Sequence, residues 1–178
     1  MLRERLNGVR THHTSGTWII YDLHVKTFAE TVVDYIERQG HKTDASPPDA
    51  GITYIAFRSR GLWFYAVTNE DDHEFLQISC SMPLAEHVSV DSKALELLLE
   101  IQDRLKALKF APLGEDRKPI AHVELLLSDG AAYEATFWRA VGIVETGMRR
   151  AVAALEENSA AKTAAEKFIN EFSLGRAQ

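Results

Sequence analysis

The stretch I-T-Y-I-A-F-R-S-R-G-L-W-F-Y-A-V-T (Ile52–Thr68) decides the fold of this chain. A turn of Ser, Arg and Gly divides it into two runs of β-branched and aromatic residues. A third run, F-L-Q-I-S-C-S-M (Phe75–Met82), follows the polar stretch Asn69–Glu74. Such runs, separated by a glycine turn and an acidic loop, are typical of antiparallel hairpins. Residues 52–82 therefore predict a three-stranded antiparallel meander.

The middle run of the meander is apolar on both sides. Successive side chains of a strand point to opposite faces, so the run divides into two sets. One face carries Leu62, Phe64 and Ala66, and the other carries Trp63, Tyr65 and Val67. Both faces need a cover, so either the chain's own helices cover both or a second molecule covers one.

The first predicted helix, His24–Gln39, precedes the meander. Its segment T-F-A-E (Thr27–Glu30) matches a capping box, in which a hydroxyl and a carboxylate satisfy free N–H groups. One apolar stripe at helical spacing predicts a buried side, formed by Phe28, Val32, Tyr35 and Ile36. Gly40 then ends the helix, and residues 41–51 are predicted to be a loop.

The second predicted helix, Asp91–Lys109, has Asp91 as its N-cap. Its core stripe consists of Ala94, Leu98, Ile101, Leu105 and Leu108. Three further leucines, Leu95, Leu97 and Leu99, widen the apolar side, so we expect this helix to be covered on more than one side. A loop, Pro112–Pro119, leads to a further strand of the sheet, Ile120–Asp129.

The third predicted helix runs from about Gly130 to Glu157. Its buried stripe consists of Phe137, Val141, Val144, Met148, Val152 and Leu155. Gly142 and Gly147 interrupt it, each costing about 1 kcal/mol relative to Ala. They either allow another backbone to approach closely or are tolerated weak points. Asn158-Ser159 predicts a break, followed by an Ala-rich amphipathic tail that docks on the body or orders on contact.

Length and composition predict one domain with two appendages. The 178 residues divide into a mobile N-terminal arm (1–17), a single α+β domain (18–157) and a C-terminal amphipathic tail (158–178). The net charge of −6 disfavours direct binding of nucleic acid. The single cysteine, Cys80, excludes an internal disulfide and fits a reducing compartment. No export signal or membrane span is visible, so we predict a cytoplasmic protein.

The motifs of the common enzyme classes are missing. The sequence contains no P-loop, GxGxxG, HExxH or GxSxG pattern. The strongest catalytic candidate pairs Cys80 as nucleophile with His87 as base and Asp91 as the orienting group. A thiol inside a strand is ordinarily buried and inert, so we predict that the protein is not an enzyme. His122, beside Glu124, is interpreted as a hydrogen-bonded structural histidine.

Two segments resemble metal sites in composition only. Asn69–Glu74 has five ionisable groups, but it lacks the spacing and the glycine of an EF-hand and is predicted to be a solvated hairpin loop. The neighbouring residues His12 and His13 do not converge on one ion without further ligands. We therefore predict no metal and no cofactor.

Four segments carry a resemblance to a known family: F-A-E-T-V-V-D-Y-I-E-R-Q-G (28–40), E-F-L-Q-I-S-C-S-M-P-L (74–84), V-E-L-L-L-S-D-G (123–130) and F-W-R-A-V (137–141). With the order of elements, they resemble the YbjN-like family of bacterial sensory transduction regulators, whose fold is like that of type III secretion chaperones. The resemblance covers about residues 25–157 and rests on element order and apolar pattern. It implies an antiparallel sheet packed with helices, a homodimer, and a non-enzymatic chaperone-like or adaptor role. It transfers no functional residues.

These observations predict a protein-binding adaptor or chaperone-like regulator that acts as a homodimer on a client protein. The predicted dimer or client interface consists of Trp63, Tyr65, Val67, Leu95, Leu99, Phe137, Val141, Val144 and Met148. Two alternatives stay open. The chain is a partner of a basic nucleic-acid-binding protein, which its acidity favours, or it is a small-ligand regulatory domain with a cavity around Trp63, Tyr65 and Trp138.

Overall fold

A computed structural model describes residues 9–14, 17–22, 26–84, 90–113, 118–127 and 133–174. The elements, in chain order, are β1 (Val9–Thr14), β2 (Thr17–Asp22), α1 (Phe28–Arg38), β3 (Thr43–Ala45), β4 (Ile52–Ser59), β5 (Leu62–Asn69), β6 (Asp72–Ser81), α2 (Ser92–Arg104), β7 (Leu108–Leu113), β8 (Lys118–Leu126) and α3 (Tyr133–Leu174). Strands β3 to β8 form one six-stranded antiparallel sheet in the order β3-β4-β5-β6-β8-β7. The predicted α+β class is confirmed.

The predicted meander is formed by β4, β5 and β6. Arg60 and Gly61 both have positive φ, as a two-residue hairpin turn of this twist requires. The second turn is shorter than predicted, because Asn69 pairs with Asp72 and the end of the predicted loop belongs to β6. The side chain of Asn69 accepts a hydrogen bond from the N–H of Asp71 at 3.0 Å, which closes the chain in two residues.

Helix α1 has the predicted capping box. The Thr27 hydroxyl accepts from the N–H of Glu30 at 3.2 Å, and the Glu30 carboxylate accepts from the N–H of Thr27 at 2.8 Å. Gly40, at φ 87°, follows the last turn as predicted. The segment after it was predicted to be entirely loop, which is wrong for Thr43–Ala45. This short segment pairs with β4 and forms one edge of the sheet.

Helix α2 begins as predicted but ends early. Asp91 caps it by accepting from the N–H of Ala94 at 2.9 Å. The helix stops at Arg104 rather than Lys109, and Ala107 at φ 67° turns the chain into β7. The predicted loop Pro112–Pro119 is therefore wrong at both of its ends, which belong to the antiparallel pair β7–β8. Pro112 disfavours a longer helix, and the alternation of apolar residues in Leu108–Leu113 favours a strand.

Helix α3 is continuous for 42 residues, and the break predicted at Asn158-Ser159 is wrong. The hydroxyl of Thr163 donates to the carbonyl of Ser159 at 3.1 Å, so polar side chains at this point are accommodated within the helix. Lys162 lies 3.5 Å from the carboxylate of Asp91, which connects this part of α3 to the start of α2. The predicted start at Gly130 lies outside the described residues, and the described helix begins at Tyr133.

The N-terminal segment predicted to be a mobile arm contains a hairpin. β1 and β2 pair antiparallel to each other, and the apolar patch Trp18–Tyr21 forms most of β2. Residues 1–8 lie outside the described part of the chain.

One face of the six-stranded sheet forms the core with the helices, and we call it the covered face. α1 and α3 pack on it, and α2 packs beside α3 next to β7. Its largest side chains are fully buried: Ile55, Phe57, Phe64, Leu76 and Ile78 from the meander, with Val32, Ile36, Phe137 and Val144 from the helices. The core therefore lies on one side of the sheet.

Candidate protein interaction surfaces

The opposite face of the sheet, which we call the open face, is bare of the described helices. By alternation and strand register it carries Tyr54, Trp63, Tyr65, Val67, Phe75, Ile120, His122 and Leu126. None of these residues belongs to the core cluster. Tyr54 is 50% exposed, Trp63 55% and Leu126 84%, so the open face presents large apolar groups to solvent.

Strand register spreads the aromatic groups of the open face along β4 and β5, with the pair Ala56–Tyr65 between Tyr54–Val67 and Arg58–Trp63. Tyr54 pairs with Val67, and Trp63 pairs with Arg58 on the neighbouring strand. Tyr65 lies between them along β5 and is half-buried. Aromatic and aliphatic neighbours of this kind form a continuous contact surface. Tyr54 and Leu126 are not among the predicted interface residues, although alternation along β4 and the register with β5 place Tyr54 on this face.

His122 lies in the middle of the open face and is 8% exposed. Its Nε2 is 3.6 Å from the carboxylate of Glu124, which also pairs with Lys109. Its Nδ1 has no hydrogen-bond partner among the described residues. Burial lowers the pKa of His122, against the opposing effect of Glu124, so the imidazole is neutral at pH 7. The predicted hydrogen bond is not present within normal distance, since the carboxylate of Glu124 is 3.6 Å from Nε2.

The β7 edge of the sheet has its outward donors occupied. The N–H of Leu108 donates to the carbonyl of Leu105 at 3.3 Å, and the N–H of Phe110 donates to the side chain of Gln102 at 3.1 Å. The next outward position is Pro112, which has no N–H. The other edge strand, β3, is three residues long. Neither edge favours strand addition.

The outward side of α2 is a second apolar surface. Leu95 is 52% and Leu99 58% exposed, while Ala94 and Leu98 are buried towards the body. The described part of the chain does not supply the second cover predicted for this helix, since it leaves Leu95 and Leu99 exposed and Leu97 only partly buried.

Four of the predicted interface residues are core residues. Phe137, Val141, Val144 and Met148 are between 0% and 4% exposed, packed against the covered face. Their helical periodicity predicts a buried side of α3, and the sheet of the same chain buries it. These four residues therefore present no surface to a partner. Their placement in an interface is wrong. The other five are Trp63, Tyr65 and Val67 on the open face, where Val67 is only 9% exposed, and Leu95 and Leu99 on α2.

The catalytic candidate is not assembled as a reactive thiol. Cys80 is 1% exposed, and burial raises the pKa of its thiol to about 11. Asp91 uses its carboxylate as the cap of α2, and its pKa is lowered by the hydrogen bond from Ala94. His87 lies outside the described residues. Where the structure describes the chain, no three His, Cys, Asp or Glu side chains are grouped as metal ligands would be.

The three aromatic residues of the small-ligand alternative do not share a cavity. Trp138 packs on the covered side against Phe57 and His41, at ring-centre distances of 6.1 and 4.7 Å. Trp63 and Tyr65 lie on the open face, so the sheet separates them from Trp138. The cavity predicted around these three residues is therefore wrong. A cleft of about 410 Å³ lies elsewhere, between α1 and the β3–β4 segment.

Comparisons with known proteins identify a fold and no family. No family model and no curated protein matches the sequence. An uncharacterized protein from Methanothermobacter thermautotrophicus has a similar crystal structure, with a TM-score of 0.56 and 10% sequence identity over 74% of this chain and 98% of that one. At this identity the similarity shows the fold alone. No helix within the described ranges combines the length and apolar character needed to cross a membrane.

Proposed function

We propose that the protein is a non-enzymatic, chaperone-like adaptor that forms a homodimer through its open face and binds a client protein. The observation that carries this proposal is the exposure of Tyr54, Trp63 and Leu126 on a sheet face that none of the described helices covers. Several large exposed apolar groups on one sheet face are typical of interfaces rather than of free surface. The resemblance to YbjN-like regulators and type III secretion chaperones supports the same function.

The sheet edges favour association through the face. Because the outward donors of β7 are occupied and β3 is short, a second copy gains little from pairing edge to edge. A twofold contact brings the same patch of each copy together, so Trp63 of one copy and the open face of the other bury one another. The Arg58–Trp63 neighbourhood supplies a polar rim beside the aromatic centre.

The test is the oligomeric state of open-face variants. Light scattering after size-exclusion chromatography should give a dimer for the native sequence at micromolar concentration. Trp63→Asp and Leu126→Asp should give folded monomers, because each places a charge in the buried contact. Leu95→Asp, an equally polar change at an exposed leucine of α2, is the matched control and should remain dimeric.

Val144→Asp is not a test of the interface. The side chain of Val144 is fully buried, so an aspartate there unfolds the chain whether or not a dimer forms. A native protein that is a folded monomer over the same concentration range would overturn the homodimer.

A further inference from the structure

The outward surface of α2 combines an apolar pair with a ladder of acids. Leu95 and Leu99 are one turn apart and more than half exposed. Glu96, Glu100 and Asp103 follow at spacings of four and three residues, which places them along one side of the helix beside the leucines. We call these five residues the acidic leucine stripe.

The acids of the stripe are not neutralised within the described part of the chain. Elsewhere, acids pair with cations: Glu134 pairs with Arg38, and Glu145 pairs with Arg60 and, within α3, with Arg149. The side chains of Glu96, Glu100 and Asp103 are exposed and make no ion pair with a described residue. Glu96 and Glu100 are also one turn apart, so their like charges weaken the isolated helix slightly.

We infer that the acidic leucine stripe binds a basic amphipathic helix of the client, an inference that rests on the proposed adaptor function. Two leucines one turn apart provide the apolar anchors that helix–helix recognition uses. Lysines or arginines on the flank of the incoming helix would meet Glu96, Glu100 and Asp103 and remove their mutual repulsion. The recognised chemistry is therefore a narrow apolar stripe bordered by cations.

Charge distinguishes this occupant from a second copy of the chain. Two α2 helices packed antiparallel through their leucines would bring two acid ladders together, which costs affinity, and a parallel pair would place no cation of α2 opposite the acids. An added β-strand is also disfavoured, because Gln102, on the same side of α2 as the leucines, already occupies the N–H of Phe110. A basic helix satisfies both the apolar and the charged part of the surface.

The experiment uses a labelled model peptide of about 18 residues, a length that spans α2, with leucines on one side and lysines on the flanks. A matched peptide carries glutamate in place of every lysine. Fluorescence anisotropy with the full-length protein should show the lysine peptide binding at least about tenfold more tightly than the glutamate peptide, and more weakly at high salt. Equal binding of the two peptides would overturn the inference.

Charge-reversal variants locate the binding. Glu96→Lys, Glu100→Lys and Asp103→Lys together should reverse the preference between the two peptides. Glu70→Lys, Asp71→Lys and Glu74→Lys together, at exposed acids in and beside the β5–β6 turn, change the net charge equally and should keep it. If this control loses the preference as completely as the α2 variant, the acidity of the whole chain attracts the peptide and the inference fails.

The leucines separate this inference from the homodimer. The double substitution Leu95→Ser and Leu99→Ser should lower the affinity for the lysine peptide by about tenfold and leave the oligomeric state unchanged. If these changes dissociate a dimer, α2 is the dimer interface and the inference is overturned. If the native protein is a monomer that binds the lysine peptide through the stripe, the homodimer fails and this inference stands.

Discussion

Phe64 and Trp63 are neighbours in β5, yet they occupy opposite environments. Phe64 is fully buried on the covered face, with its ring 5.6 Å from that of Phe57. Trp63 is 55% exposed on the open face. Both belong to the same apolar run. Their environments differ because the described helices pack on one face of the sheet and not on the other. An apolar strand therefore indicates how much of its surface must be buried. It does not indicate whether the same chain or a second molecule buries it.

The largest expected effect on stability comes from single alanine substitutions at Phe64 and Trp63, compared with each other. Phe64→Ala removes a fully buried ring and should lower the free energy of unfolding by about 3–5 kcal/mol. Trp63→Ala should lower it by less than about 1 kcal/mol in the monomer and should weaken the dimer instead. Urea denaturation and light scattering measure the two effects. A Trp63→Ala protein that is as unstable as Phe64→Ala would show that the open face is also covered by its own chain.

Alkaline pH tests the burial of the covered face. Burial raises the pKa of Cys80 to about 11 from 9.0, so the folded state resists loss of the thiol proton. The contribution of the protonated thiol to the free energy of unfolding is on the order of 2 to 3 kcal/mol. It is fully present below pH 9 and is lost as the pH rises through 11. Urea midpoints measured from pH 8 to 11 should fall less steeply for Cys80→Ala than for the native sequence. Equal slopes would mean that solvent reaches the thiol.

Two glycines of α3 provide a matched pair. A Cβ at Gly147 would overlap the side chain of Leu108, with Cδ1 at 3.0 Å, whereas a Cβ at Gly142 meets nothing within 4 Å. Gly147→Ala should therefore destabilise the protein by about 1–3 kcal/mol, and Gly142→Ala should stabilise it by up to about 1 kcal/mol. Thermal or urea denaturation distinguishes them. If Gly147→Ala is as well tolerated as Gly142→Ala, the contact between α3 and β7 is looser than described.

The smallest expected effect concerns His122. Because burial lowers its pKa from 6.5, the folded state favours the neutral ring, and this stabilisation is lost as pH falls below 6.5. Between pH 7 and 5 the native protein should therefore lose more stability than His122→Gln. NMR titration of the imidazole gives the pKa directly. A pKa at or above 6.5 would show that water reaches the imidazole in the middle of the open face.

The meander and the N-terminal caps of α1 and α2 could be predicted because each has a local chemical signal, whereas α1 begins at Phe28 rather than at the predicted His24. Thr27 and Glu30 form a reciprocal cap, and Arg60-Gly61 can adopt the positive φ of a tight hairpin. The end of α2 could not be predicted from periodicity. Leu105 and Leu108 continue the helical stripe by spacing, but Leu108 is buried from a strand, where it packs against Gly147.

The candidate surfaces were predicted in part. Trp63, Leu95 and Leu99 are exposed as an interface requires, whereas Val144 and Met148 lie in the core. All five gave the same signal, an apolar residue in a periodic pattern. Which of them is covered depends on contacts between elements far apart in sequence, such as α3 on β6 and β8, and a single sequence does not display those contacts.

The closed β7 edge has a consequence for assembly at high concentration. Fibrils grow when a free strand edge templates the next chain, and each added chain offers a new edge. Leu105, Gln102 and Pro112 remove the donors that such templating needs on one side, and β3 offers three residues on the other. Contact through a face is saturated once two copies meet. If the open face forms the proposed homodimer, this geometry therefore favours a fixed stoichiometry over a growing polymer.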